Sequence, residues 1–151
     1  MVHWKYRDPS FDMGKTLVIR TSAFPTEPEG DLDLCNGQPG SAFAEWLRAG
    51  MLAKHYVCDP PIQEDYGWGF WVKKEDLTVW VAVGYVGNTG AAEDEVEWAV
   101  SSFYEVPFGF LRPVTWFNGG RGRELEHQIF QDLKILIEAN PRIKIASEEN
   151  G

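Results

Sequence analysis

Two adjacent carboxylates, Glu64 and Asp65, stand directly before the densest aromatic stretch of the chain, Tyr66-Gly67-Trp68-Gly69-Phe70-Trp71. Neighbouring carboxylates can ligate a divalent cation, or one can act as a general base once its pKa is raised. Within a strand, however, consecutive side chains point to opposite faces, so the pair does not act as one unit. Lone carboxylates also lack the partner groups a catalytic site needs. The preferred reading is an acidic start to a strand, and no catalytic residue is assigned.

Asn118-Gly119-Gly120-Arg121-Gly122-Arg123 is the second candidate. Placed before a helix, Arg121 and Arg123 could hold an anion together with the N–H groups of the helix end. No Gly-Lys-Ser/Thr follows, so this is no P-loop, and no dinucleotide fingerprint occurs. The ordinary alternative is a flexible turn.

Metal chemistry finds little support. Asp31-Leu32-Asp33-Leu34-Cys35-Asn36-Gly37 begins like a calcium loop. Cys35 then takes the fifth ligand position, Asn36 the required glycine and Ala42 the terminal glutamate, so it is rejected. His3, His55 and His127 do not cluster, and Glu124-x-x-His127 is only half of a di-iron pattern. Cys35 and Cys58 form no Cys-x-x-Cys pair, and there is no Gly-x-Ser-x-Gly elbow. No metal and no cofactor is expected.

The elements that must position these residues follow from periodicity. Lys15–Thr21 is short and β-branched and reads as a strand. Residues 22–40 form a long loop carrying Glu27, Glu29, Asp31 and Asp33 and no Lys or Arg; such loops are uncommon in small domains and are often functional. Ser41 is placed to cap a helix reaching about Tyr56, with Phe43, Leu47, Gly50 and Met51 on its apolar stripe, and Pro60-Pro61 ends any continuation. Trp68, Phe70 and Val72 share one strand face; Gly67, Gly69 and Trp71 share the other. Leu77–Val86 is apolar on both faces, as in a central strand covered on both sides. A third strand runs through Val96, Trp98 and Val100. Residues 104–122 read as an apolar loop, or a short strand around Val114-Thr115-Trp116-Phe117, Arg123–Ala139 as a helix and Arg142–Ala146 as a last strand before the acidic tail 147–151. The expectation is one α+β domain over 1–151, a mostly antiparallel sheet with two helices on one face, in the order β-α-β-β-β-α-β.

Three segments, Phe24-Pro25-Thr26-Glu27-Pro28-Glu29, Ala44-Glu45-Trp46-Leu47 and Glu64-Asp65-Tyr66-Gly67-Trp68, together resemble a group of bacterial proteins without assigned activity. That group has a Pro-Glu-rich loop, an Ala-Glu-Trp-Leu-like helix and a Glu-Asp-Trp-Gly-Trp strand opening. The resemblance covers about residues 20–86 and departs at Tyr66, where Trp is commoner. It implies no function.

Charge narrows the function classes. With a net charge of −9 in 151 residues, there is no basic stripe for a phosphate backbone or an anionic membrane surface. The start, Met1-Val2-His3-Trp4-Lys5-Tyr6-Arg7-Asp8, is charged and has no apolar run, so a cytoplasmic location with two reduced thiols is expected. The leading expectation is a small acidic protein that binds, and inhibits or neutralises, a basic protein partner, of immunity or anti-defence type. Its contact residues are expected among Glu27, Glu29, Asp31, Asp33, Glu64, Asp65, Tyr66 and Trp71, since surface aromatics are the usual anchors of an interface. The alternatives are two. One is a small-molecule or metal-binding domain, or an enzyme, with Glu64, Asp65, Arg121 and Arg123 facing a pocket under the 104–122 loop. The other is a homodimer joined through exposed aromatics.

Overall fold

The computed structural model describes residues 15–27, 37–88, 95–104 and 112–150, the stretch 112–119 as backbone only. Its elements are β1 (Thr16–Thr21), α1 (Ser41–Ala53), β2 (Val57–Cys58), β3 (Ile62–Glu64), β4 (Gly67–Lys74), β5 (Leu77–Asn88), β6 (Val96–Tyr104), α2 (Arg112–Glu138) and β7 (Ile143–Glu149). The seven strands form one antiparallel sheet in the order β2-β4-β5-β6-β1-β7, with β3 also on β4. Since β5 holds the other side of β4 along its whole length, β2 and β3 share its free edge. Both helices contribute to one apolar core on one sheet face, so the expected α+β architecture is the one found.

Alternation explains that core. Trp68, Phe70 and Val72 lie opposite Val83, Val81 and Val79, and Val100 and Trp98 lie opposite Leu17 and Ile19. All are buried, and each such side chain contributes about 1.5–3 kcal/mol when fully buried. From α1 come Phe43, Ala44, Leu47 and Met51; from α2 come Leu125, Ile129, Phe130, Leu133 and Ile137. Gly50 lets the helices meet, because a Cβ there would overlap the Leu136 side chain. From Leu77 to Gly84, β5 is buried on both faces except at Thr78, as its two-sided apolar pattern requires.

Several boundaries differ from the sequence expectation. Gly40, not Ser41, is the N-cap of α1, and no side chain caps it. Gly40 has φ 134°, and a Cβ there would stand 3.2 Å from Trp68 and 3.4 Å from Trp98, so packing and backbone select glycine over a capping hydroxyl. The helix stops at Ala53, well before Pro60. His55 enters the left-handed region (φ 70°), its N–H donating to the Leu52 carbonyl and that of Tyr56 to Met51. This is a Schellman ending, closed by the buried pair Met51 and Tyr56.

Two short strands, β2 and β3, join the expected three between the helices, separated by Pro60-Pro61, which have no N–H to pair. The tail is also corrected. Ser147, Glu148 and Glu149 belong to β7, paired with Val18, Leu17 and Thr16, and Glu148 accepts from Lys134 at 2.9 Å. The largest correction is α2, which starts at Arg112 where a loop or a short strand was expected.

Candidate functional site

Strand register gathers the acidic residues. Glu64 pairs with Gly67 around the two-residue turn Asp65-Tyr66; Gly67 pairs with Gly84, and Gly84 with Ala99. One step further along the sheet, Val96 faces Thr21, which faces Ile143. The β3–β4 turn, the exit of β1 and the start of β6 therefore lie at one end of the sheet. Gly67 is required there: its φ is 154°, and the Val83 carbonyl occupies the place of a Cβ.

Both described ends of the 22–40 loop reach this same end. The Trp68 indole N–H donates to the Gln38 carbonyl at 3.1 Å. Phe24 stacks on Phe43 of α1, with ring centroids 4.3 Å apart. Glu27, Glu64 and Asp65 are exposed, and Tyr66 is half-buried. Glu29, Asp31 and Asp33 fall outside the described residues, as does Cys35. Further along the same end, Glu97 pairs with Arg20 at 3.3 Å and Glu95 with Lys144 at 3.8 Å.

Trp71 is not a free-standing anchor. It is half-buried and meets its cross-strand neighbour Trp80 edge-on, with centroids 4.6 Å apart. The space that Gly69 leaves is filled from within, by the Trp80 ring lying over it. Trp80 is fixed in turn by donating its indole N–H to the Tyr66 hydroxyl at 2.6 Å. Pairing sets Ile62 opposite Gly69 and Val57 opposite Lys73, on the face of the sheet turned away from the helices. Ile62 is 47% exposed and Val57 62%. These two residues and Trp80 were not singled out in the sequence. The alternation of β4 and β5 placed Trp71 and Trp80 on a face with small residues, but their register across the hairpin, and β3 itself, have no local signal.

Arg121 and Arg123 lie inside α2, so no helix-end N–H groups flank them. Arg121 instead donates to Glu75 at 2.7 Å and Asp76 at 3.3 Å, in the turn between β4 and β5. That turn follows the last residue of β4, whereas Glu64 and Asp65 precede its first. A strand of this length spans about 25 Å, so the four polar groups of the pocket expectation stand at opposite ends of the sheet.

Cys58 is a buried free thiol, pushed up to about 11 chiefly by burial, against the opposing Arg48 guanidinium. The Tyr56 phenol is held above its ordinary range by burial and by donating to the Asp132 carboxylate at 2.6 Å. Arg48 donates to the carbonyls of Asp59 and Cys58. These groups tie the end of α1 to β2 and α2, and none faces the acidic end. Among the described residues no three His, Cys, Asp or Glu side chains group as metal ligands. No helix there is long and apolar enough to cross a membrane. Comparison with known protein families, curated proteins and solved structures finds no match to this chain.

Proposed function

We propose that this chain is a small acidic cytoplasmic protein that binds and neutralises one basic protein partner, as immunity and anti-defence proteins do. The observation that carries the reading is that exposed Glu64 and Asp65 stand at the same end of the sheet as exposed Glu27 and as Gln38, whose carbonyl accepts the Trp68 indole N–H. A net charge of −9 adds a long-range field that speeds encounter with a cationic surface. The same field disfavours direct contact with nucleic acid or an anionic membrane.

The test is capture on the tagged full-length chain from its cell of origin at low ionic strength. The expected result is one stoichiometric partner of basic pI that is released as salt is raised, because exposed charges are screened within about 10 Å at 0.1 M salt. Recovery of no partner at low salt, or of an acidic one indifferent to salt, refutes the reading.

A further inference from the structure

We infer that the partner docks through side chains on the β2–β3 margin of the sheet, on the face turned away from the helices. One apolar residue sits against Ile62 and Trp71, and a flanking Lys or Arg sits against Glu64 and Asp65. This deepens the basic-partner reading and rests on it.

Three observations lead there. First, Val57 and Ile62 are two of the few large hydrophobic residues left exposed among the described residues, and register puts both beside the half-buried Trp71. The floor under them is closely packed: Trp80 lies over Gly69, donates to Tyr66 and meets Trp71 edge-on. Closely packed aromatic floors next to exposed aliphatic residues are where interface anchors settle. Second, the charge along this margin is polarised. Glu64 and Asp65 are exposed at one end, and Lys73 and Lys74 at the other. A cationic flank is therefore favoured at the Glu64 end, which orients the partner. Third, strand addition is disfavoured at the β2 side of this edge. Pro60 and Pro61 offer no N–H, and Arg48 already takes the Cys58 and Asp59 carbonyls. Recognition thus falls to side chains on the face.

The test titrates the 15N-labelled full chain with the capped peptide Lys-Arg-Trp-Arg-Lys at low ionic strength. Controls are Lys-Arg-Gly-Arg-Lys and Glu-Glu-Trp-Glu-Glu. Shifts should concentrate on the amides of 62–66 and the Trp71 and Trp80 indole N–H signals, and each control should bind more weakly. Ile62→Asp should weaken binding about tenfold, the loss typical of an interface anchor. Ile135→Asp, an equally exposed apolar position on α2, should leave it unchanged. Shifts mapping to another surface, equal binding of the Gly peptide, or a silent Ile62→Asp would overturn the docking site while leaving a basic partner standing. No shift from either basic peptide would remove both.

Discussion

Gly122→Ala should destabilise this protein although it introduces the best helix former into the middle of a helix. In an unhindered helix, Gly to Ala gains about 1 kcal/mol. At 122 the added Cβ would overlap the hydroxyl end of the Tyr104 ring. Tyr104 cannot swing away freely. Its backbone N–H donates to the Glu126 carboxylate at 2.7 Å, it lies opposite Val79 in the sheet, and its side chain is half-buried. Overpacking of this kind costs about 1–3 kcal/mol, so the net loss should be about 1 kcal/mol. Two companions make the sign decisive. Gly120 is exposed with nothing near its Cβ position, so Gly120→Ala should stabilise by about 1 kcal/mol. In a Tyr104→Ala background the clash is gone, and Gly122→Ala should itself become stabilising, giving a coupling energy of about 2 kcal/mol. Urea unfolding followed by tryptophan fluorescence and far-ultraviolet circular dichroism reads all four. A stabilising Gly122→Ala in the wild-type background, or a destabilising Gly120→Ala, would refute a helix packed through 120–122 against β6.

Gly69→Ala should cost about 1.5–2.5 kcal/mol in urea unfolding and red-shift the tryptophan emission. Its Cβ would stand 2.8 Å from the Val81 carbonyl and displace Trp80, losing a hydrogen bond worth about 1 kcal/mol and an aromatic contact worth about 0.5–1.5 kcal/mol; unchanged stability would count against the locked Trp80. His55→Gly should stabilise by about 0.5–1 kcal/mol, because His55 holds a left-handed conformation at the end of α1; a loss would show that the imidazole makes a contact worth more than that strain. Cys58 shapes the alkaline limb: its folded pKa, about 11, lies above the ordinary 9.0, so folding favours the protonated thiol. The stabilisation is complete below pH 9.0 and lost as pH rises toward 11. Melting curves should show a shallower alkaline fall for Cys58→Ala than for wild type, and parallel curves would contradict the shift.

Much of this molecule is legible residue by residue. Period-two alternation from Leu77 onward announces β5, and the stripe Leu125, Ile129, Leu133, Leu136, Ile137 announces the second half of α2, because both signals repeat within a few residues. The early part of α2 is illegible for a definite reason. Gly119, Gly120 and Gly122 read locally as a turn, yet Gly122 serves the approach of Tyr104, a residue on another element. Pro60-Pro61 likewise reads as a stop, when it interrupts an edge whose two halves both pair with β4. The acidic Glu148 and Glu149 read as a tail until β1 supplies a strand for them to join.

The same division holds for the candidate site. Sequence alone determined the acidity, the absence of phosphate-binding motifs, and an aromatic strand opening on Glu64 and Asp65. Composition and spacing are local properties that any fold of this chain keeps. Only the tertiary structure decided which of those residues meet. Register carried Glu64, Asp65 and the ends of the 22–40 loop to one end of the sheet and Arg121 to the other. It also put Trp80, rather than a partner, over Gly69. The physical reason is that cross-strand pairing is set by which faces can be buried together, a property of several strands at once that no single stretch of sequence contains.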